Sequence, residues 1–471
     1  LNGRPESPGN GPDAAGAHET RVLLVVGLGA FLSSVSTSIV GVILPRIGAW
    51  AGLGVVEVQW TMLVPLIVIS VGLLPVGRAG DLAGHRRVYL AGLALVGVAG
   101  LACAAAPSYG WFLAARGIQG LGSAALMATS PALVSILARP GRRGRALGIV
   151  STATYLGLTA GPPLGGFLEH LGGWRLVFAA QVPLAAVLLA VTVPWMPDVG
   201  ARPSGRRVDW PGVALLAVGL TALLLALGRQ DGGVAATGLA LGAFGVAGLA
   251  AFLGWQRRAR SPLLDLRLFV DRTFASASVG ALLNYLAVFH ATFLMPFYLE
   301  DLLGMSPGRA GIVLTAMPLI MAITASPSGH LSDRWGSRWL SSAGLGATAV
   351  ALAGLGLLPA TAPLPVLVGL LCLLGLGAGV FVSPNTNALM SSAPADRQGT
   401  AAGVMALARN LGMLGGTSMS AALYAAGQSS GLALGQDPVA AGMDGLHLAF
   451  RVGAGLALAG ALVVLVRPRR G

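Results

Sequence analysis

Deep inside the apolar runs of this chain, three side chains stand out as able to hold a charge or move a proton: Arg116, Arg409 and His290. The 17 carboxylates keep to the ends of those runs or to the N-terminal stretch. Burying a guanidinium in lipid costs at least ~2.5 kcal/mol even on the most lenient insertion scale. Arg116 must therefore meet a polar cavity, or else backbone carbonyls between helices. It shares one helical face with Gly120, Ser123 and Met127, and Gln119 beside it is a further coupling candidate, as is Arg409. An imidazole titrates near neutrality, which makes His290 a proton carrier or a satisfied core histidine. Polar residues placed to line a cavity are Ser36, Tyr155, Gln181, Asn284, Tyr285, Asn385, Asn387 and Asn410. Asn385, Asn387 and Asn410 could equally bond neighbouring helices. With arginine the only buried charge, the expected substrate is neutral, zwitterionic or anionic rather than a permanent cation. Cys103 and Cys372 lie far apart inside apolar runs, so no metal site, cofactor or disulfide framework is expected.

A second group of residues suits movement rather than binding. The stretch Gly77 to Arg87, GRAGDLAGHRR, falls between two apolar runs and can only be a tight turn joining membrane helices. Gly77 and Gly84 let backbones approach, Asp81 can accept hydrogen bonds at a helix end, and Arg86 and Arg87 put fixed charge at the lipid boundary. Gly329, Asp333, Gly336 and Arg338 repeat the spacing, each displaced by 252 residues. That single offset points to two related halves.

The scaffold these residues need is a membrane one. Of 471 residues, 55% are hydrophobic and 10% are charged, where a soluble domain carries about a quarter charged. Fourteen apolar runs of spanning length are expected. Six lie in residues 22–194, two in the segment 195–273 with its cytoplasmic linkers, and six in 274–466. Residues 1–21 read as a disordered cytoplasmic tail and 467–471 as a basic one. All 30 basic residues are Arg; a cytoplasmic N-terminus puts 23 inside, five outside (Arg46, Arg175, Arg229, Arg309, Arg451) and two within helices. This asymmetry sets the orientation with both termini cytoplasmic. It also accounts for the net charge of +13 without nucleic acid as a partner. No HExxH, paired intramembrane acids or GxxxxGK[ST] loop is present, so neither an enzyme nor an ATP-driven pump is expected.

The turn resembles the loop between the second and third helices of the major facilitator superfamily. In that family two six-helix bundles hold substrate between them. Two additional helices narrow the resemblance to its fourteen-helix drug:proton antiporter branch, and Val208-Asp209-Trp210-Pro211-Gly212 in the linker is similar to that branch. Arg116, Gln119, Gly120, Gly122 and Ser123 form RxxQGxGS, whose Arg is implicated by the resemblance in coupling protons to transport. Gly157, Gly161, Pro162, Pro163, Gly165 and Gly166 resemble the GxxxGPxxGG element of antiporters. Such glycines make a smooth face for helix sliding, and the prolines bend the helix. One departure stands out: the acid to which the family's proton or cation binding is assigned is Ser36 here.

The expectation is thus an all-α membrane protein of the major-facilitator fold, a monomer in a bacterial inner membrane. It exports a drug or antibiotic-like product in exchange for protons, with the substrate, protons and bilayer as partners. A proton-independent facilitator or lipid-like solute carrier is the alternative, and a membrane sensor without transport the second.

Overall fold

A computed structural model describes residues 12–137, 143–197, 209–227, 235–259, 262–394 and 398–466. The first eleven residues, the basic stretch 467–471 and the loop residues Arg139, Arg142, Arg202, Arg206 and Arg207 lie outside that description. Within it every regular element is helical, as lipid requires of a chain that must satisfy its own backbone. The helices are α1 (Pro12–Ala51), the single turn α2 (Val55–Val58), α3 (Trp60–Ala83), α4 (His85–Ala104), α5 (Tyr109–Leu137), α6 (Arg143–Ala179) and α7 (Gln181–Trp195). They continue with α8 (Trp210–Leu227), α9 (Ala235–Gln256), α10 (Arg272–Phe297), α11 (Pro307–Trp335), α12 (Ser337–Leu355), α13 (Leu364–Ser392), α14 (Gln398–Ala433) and α15 (Pro438–Leu465). A π-helical turn, Tyr298–Leu302, prolongs α10.

A helix lies along each of the fourteen apolar runs, yet fewer pass a test of spanning by length and composition. Among the described residues eight helices do so, or nine if the pair broken near Ala180 and bent by 42° is one span. Helix α8 is too short to pass within the described residues, and Arg409 and Asn410 lower the mean hydropathy of α14. Helix α1 begins at Pro12 rather than at 22, because Ala14, Ala15, Ala17 and Glu19 favour continuation of the helix past the apolar boundary.

Helix α1 packs on α6, α4 on α5 and α7, and α3 on α5; α10 packs on α14 and α15, α12 on α13 and α15, and α11 on α13. Helices α8 and α9 pair with each other, and α6 with α11 and α3 with α14 join the two groups. Both short turns, at Gly84 and Gly336, fall at the same end of the molecule. The α6–α11 contacts run antiparallel, with Thr159 against Pro318 and Gly166 against Pro307, which fixes this placement.

Asp209 anchors the α8–α9 pair at that turn end. Its buried carboxylate accepts the Gly212 amide at 3.0 Å, the Trp255 indole N–H at 2.7 Å and the Gln256 amide at 2.9 Å. The sequence Asp-Trp-Pro-Gly therefore caps α8 and ties it to the last turn of α9. Replacing Asp209 with Ala strands three donors. Bonds to a charged acceptor contribute about 1.5–3 kcal/mol, so the unfolding midpoint of the purified protein should fall by several degrees, and Asp209→Asn should lower it less.

Candidate functional site

The two repeated turns are built by glycines in the left-handed region, Gly84 at φ 96° and Gly336 at φ 82°. Each ends one helix and starts the next without an intervening loop. At Gly336 an added Cβ would touch nothing, so that glycine is there for backbone conformation rather than close packing. Asp81 pairs with Arg78 at 3.2 Å and with His85 at 3.3 Å. Arg86 instead donates to the Val193 carbonyl at the end of α7 at 2.6 Å. Arg338 lies over the Trp339 ring at 5.5 Å. The Asp333 side chain is outside the described residues. Gly77 makes only ordinary contact with Ala128, whereas a Cβ at Gly329 would press on the Ser383 hydroxyl at 2.7 Å.

Arg116, on α5, is 3% exposed and faces α3 and the end of α6. Its Nε donates to the Thr61 carbonyl at 3.2 Å, its guanidinium bonds the Gln119 carbonyl oxygen, and the Phe178 ring sits 5.7 Å away. Gln119 in turn donates to Gln181 at 2.9 Å, and Gln181 to the Val177 carbonyl at 3.2 Å. This relay is made wholly of neutral groups. Arg116 and Gln119 line a cavity of ≈ 20 Å³ together with Ser36, Thr37, Ser123 and Pro65, enough for about one water. Gly120 completes the wall, since a Cβ there would lie 2.8 Å from the Pro65 backbone.

The glycine–proline element of α6 has two working faces. Gly157, Gly161 and Gly165 lie against Phe31, Ser38 and Ile39 of α1, so that any Cβ would collide. Gly166 and Pro162 face α11 instead, meeting Pro307, Gly308 and Gly311. Beside this seam lies an ionic cluster that the sequence did not single out. Arg46 of α1 is 3.6 Å from Glu169 of α6 and 3.2 Å from Glu300 of the π turn after α10. The Glu300 side chain is only 4% exposed, and its Oε1 has no hydrogen-bond partner. Among the described residues, the polar and glycine contacts between α1–α7 and α10–α15 run from mid-helix to this end, opposite the turns.

Other expected residues are dispersed. His290 is fully buried, bonds the Leu286 carbonyl at 2.8 Å through Nδ1, and packs on Gly453 of α15. It is not part of the Arg116 cavity. Asn385 donates to the Ala277 carbonyl at 2.9 Å, joining α13 to α10, and Asn387 is exposed. Tyr285 hydrogen-bonds Arg409, while Asn284 Oδ1 and Asn410 Nδ2 are buried without partners. The Tyr155 side chain lies outside the described residues.

Comparison with known proteins agrees with this architecture. The family model described as Major Facilitator Superfamily matches residues 26–417 and 277–471. The chain is 30% identical over 408 residues to the riboflavin transporter RibZ of Clostridioides difficile, covering 86% of this chain and 88% of that one. It is 33% identical over 414 residues to the multidrug resistance protein Stp of Mycobacterium tuberculosis, covering 87% and 76%. A crystal structure of a bacterial homolog of the human lysosomal transporter Spinster superposes with a TM-score of 0.72 at 16% identity, covering 98% of both chains. With its paired turns, its two joined groups of helices and these matches, the chain belongs to the Major Facilitator Superfamily and is a multi-pass membrane transporter of that fold.

Proposed function

We propose that this transporter is a secondary active exporter. It carries a drug or antibiotic-like natural product, neutral, zwitterionic or anionic, out of a bacterial cytoplasm by alternating access, in exchange for protons. In this reading fourteen spans cross the inner membrane with both termini cytoplasmic. Residues 22–194 and 274–466 are two bundles that rock, and 195–273 supplies the inserted pair.

The observation that carries the reading is the one-ended contact between the helix groups. They meet from mid-helix to the end holding Arg46 and Glu300, beside a polar cavity around Arg116. A molecule closed at one end and jointed by short turns at the other suits exchange between two openings. The name of the mycobacterial relative supports a drug as cargo, and that of the clostridial relative offers riboflavin as another.

The test is an efflux screen of chemically varied antibiotics in a pump-deficient host, followed by vesicles with and without an imposed pH gradient. Gradient-driven export that Arg116→Ala abolishes is the expected result. Export without dependence on the gradient would instead select the facilitator reading. Ser36 favours that second reading, because no carboxylate lines the Arg116 cavity. Binding without counterflow would select a sensor.

A further inference from the structure

We infer that the cavity at Arg116 is a binding site for a small anionic group, a carboxylate or a halide, that serves as the counter-ion of this guanidinium. Two independent features lead there. The guanidinium is buried, yet every partner it has is neutral: the Thr61 carbonyl, the Gln119 amide oxygen and the Phe178 ring. Among the described residues, no carboxylate lies within ion-pair distance of it. A buried cation without a counter-charge costs several kcal/mol, and neutral dipoles recover only part of that. The second feature is the cavity. Its ≈ 20 Å³ adjoin the guanidinium, and the other polar groups on its wall are the hydroxyls of Ser36, Thr37 and Ser123 and the amide of Gln119. The Ser36 and Ser123 hydroxyls and the Gln119 amide can donate hydrogen bonds to an anion, the Thr37 hydroxyl already donates to the Ser33 carbonyl at 3.0 Å, and none carries a negative charge to repel one.

The volume limits what fits. A chloride ion or the flat carboxylate tip of a larger molecule can enter, whereas the larger tetrahedral head of a sulfonate such as isethionate cannot. The geometry also supplies its own control. Ser36 lines the same cavity as Arg116, so Ser36→Asp should place a tethered carboxylate where the free anion would sit, making external anion redundant. The proposal rests on reading this cleft as the transport site, but binding is measured without transport, so the two can fail separately.

The experiment is thermal unfolding of the purified full chain in detergent, titrated with sodium chloride or sodium formate against sodium isethionate at constant ionic strength. In the native protein the midpoint should rise with chloride and formate and then saturate. Both Arg116→Gln and Ser36→Asp should abolish that rise, and Ser36→Asp should unfold at or above the saturated native midpoint. Midpoints equal in all three salts, or a rise that survives in Ser36→Asp, would overturn the site. A second arm separates the two sources. Nalidixate competing with chloride, while its methyl ester does not, identifies a cargo carboxylate as the group bound. Chloride acting alone identifies an ion taken from solution.

Discussion

A valine at Gly311 should cut efflux roughly ten- to hundredfold while leaving the protein in the membrane. Helices α6 and α11 touch backbone to backbone at this point. A Cβ at Gly311 would lie 2.6 Å from the Pro162 carbonyl oxygen and 3.4 Å from the Gly166 backbone. Neither atom belongs to a side chain that can swing away, and Pro162 has no amide hydrogen to give. Overpacking of this kind costs ~1–3 kcal/mol. In an alternating-access cycle the two helices meet in only one of the two states, so the whole cost falls on that state. The reverse change, Gly166→Val, should behave alike, since its Cβ would strike the Pro307 carbonyl across the same seam. Gly455→Ala is the matched control, because nothing lies within 4 Å of its Cβ position. Efflux assays give the rate, and labelling of a cysteine introduced at the Arg46 end reports which state accumulates. Wild-type efflux in Gly311→Val would remove α6–α11 closure from the mechanism.

Severing the ionic cluster should have a comparable effect by a different route. Arg46 holds two carboxylates, Glu169 and Glu300, that belong to opposite helix groups. Arg46→Ala leaves those acids without their shared cation, and the Glu300 side chain is nearly out of water. Breaking a buried pair from one side costs about 3–5 kcal/mol. Arg46 is 46% exposed, so screening reduces the figure to about 2 kcal/mol. That corresponds to a loss of roughly thirtyfold in the population closed at this end. The double variant Arg46→Gln with Glu300→Gln should recover much of it, since no isolated charge is then buried. The same labelling assay reads both, and equal labelling of Arg46→Ala and the native chain would show that the cluster latches nothing.

Much of the fold could be read from residue order, and the reasons are local. Apolar runs long enough to span lipid mark helices whatever their partners, and the repeat at Asp81 and Asp333 depends on spacing alone. The α6 element was legible as a close-packing face because glycines at helical spacing have few other uses, although its division between α1 and α11 depended on tertiary packing. The Arg46–Glu169–Glu300 cluster was not legible, because its members come from three distant elements and each looks like an ordinary boundary charge. The Asp81–His85 pairing was not legible because neighbouring arginines are equally placed to meet that carboxylate. His290 could be read only as a proton carrier or a core histidine, and coordinates were needed to show its ring against Gly453, with Nδ1 on the Leu286 carbonyl and Nε2 buried without a partner. Asp209 was visible only as part of a family likeness, and its three donors needed coordinates to appear.

Helix α8 has a consequence for traffic with the surrounding lipid. Its Leu220 and Leu224 are buried against Leu63 and Leu66 of α3 and Leu414 of α14. They stopper the crevice where those two helices run side by side. Acyl chains cannot wedge into that flank, so a greasy molecule dissolved in the bilayer finds no side door there. A compound arriving from the bilayer would then need another flank, or the aqueous mouth.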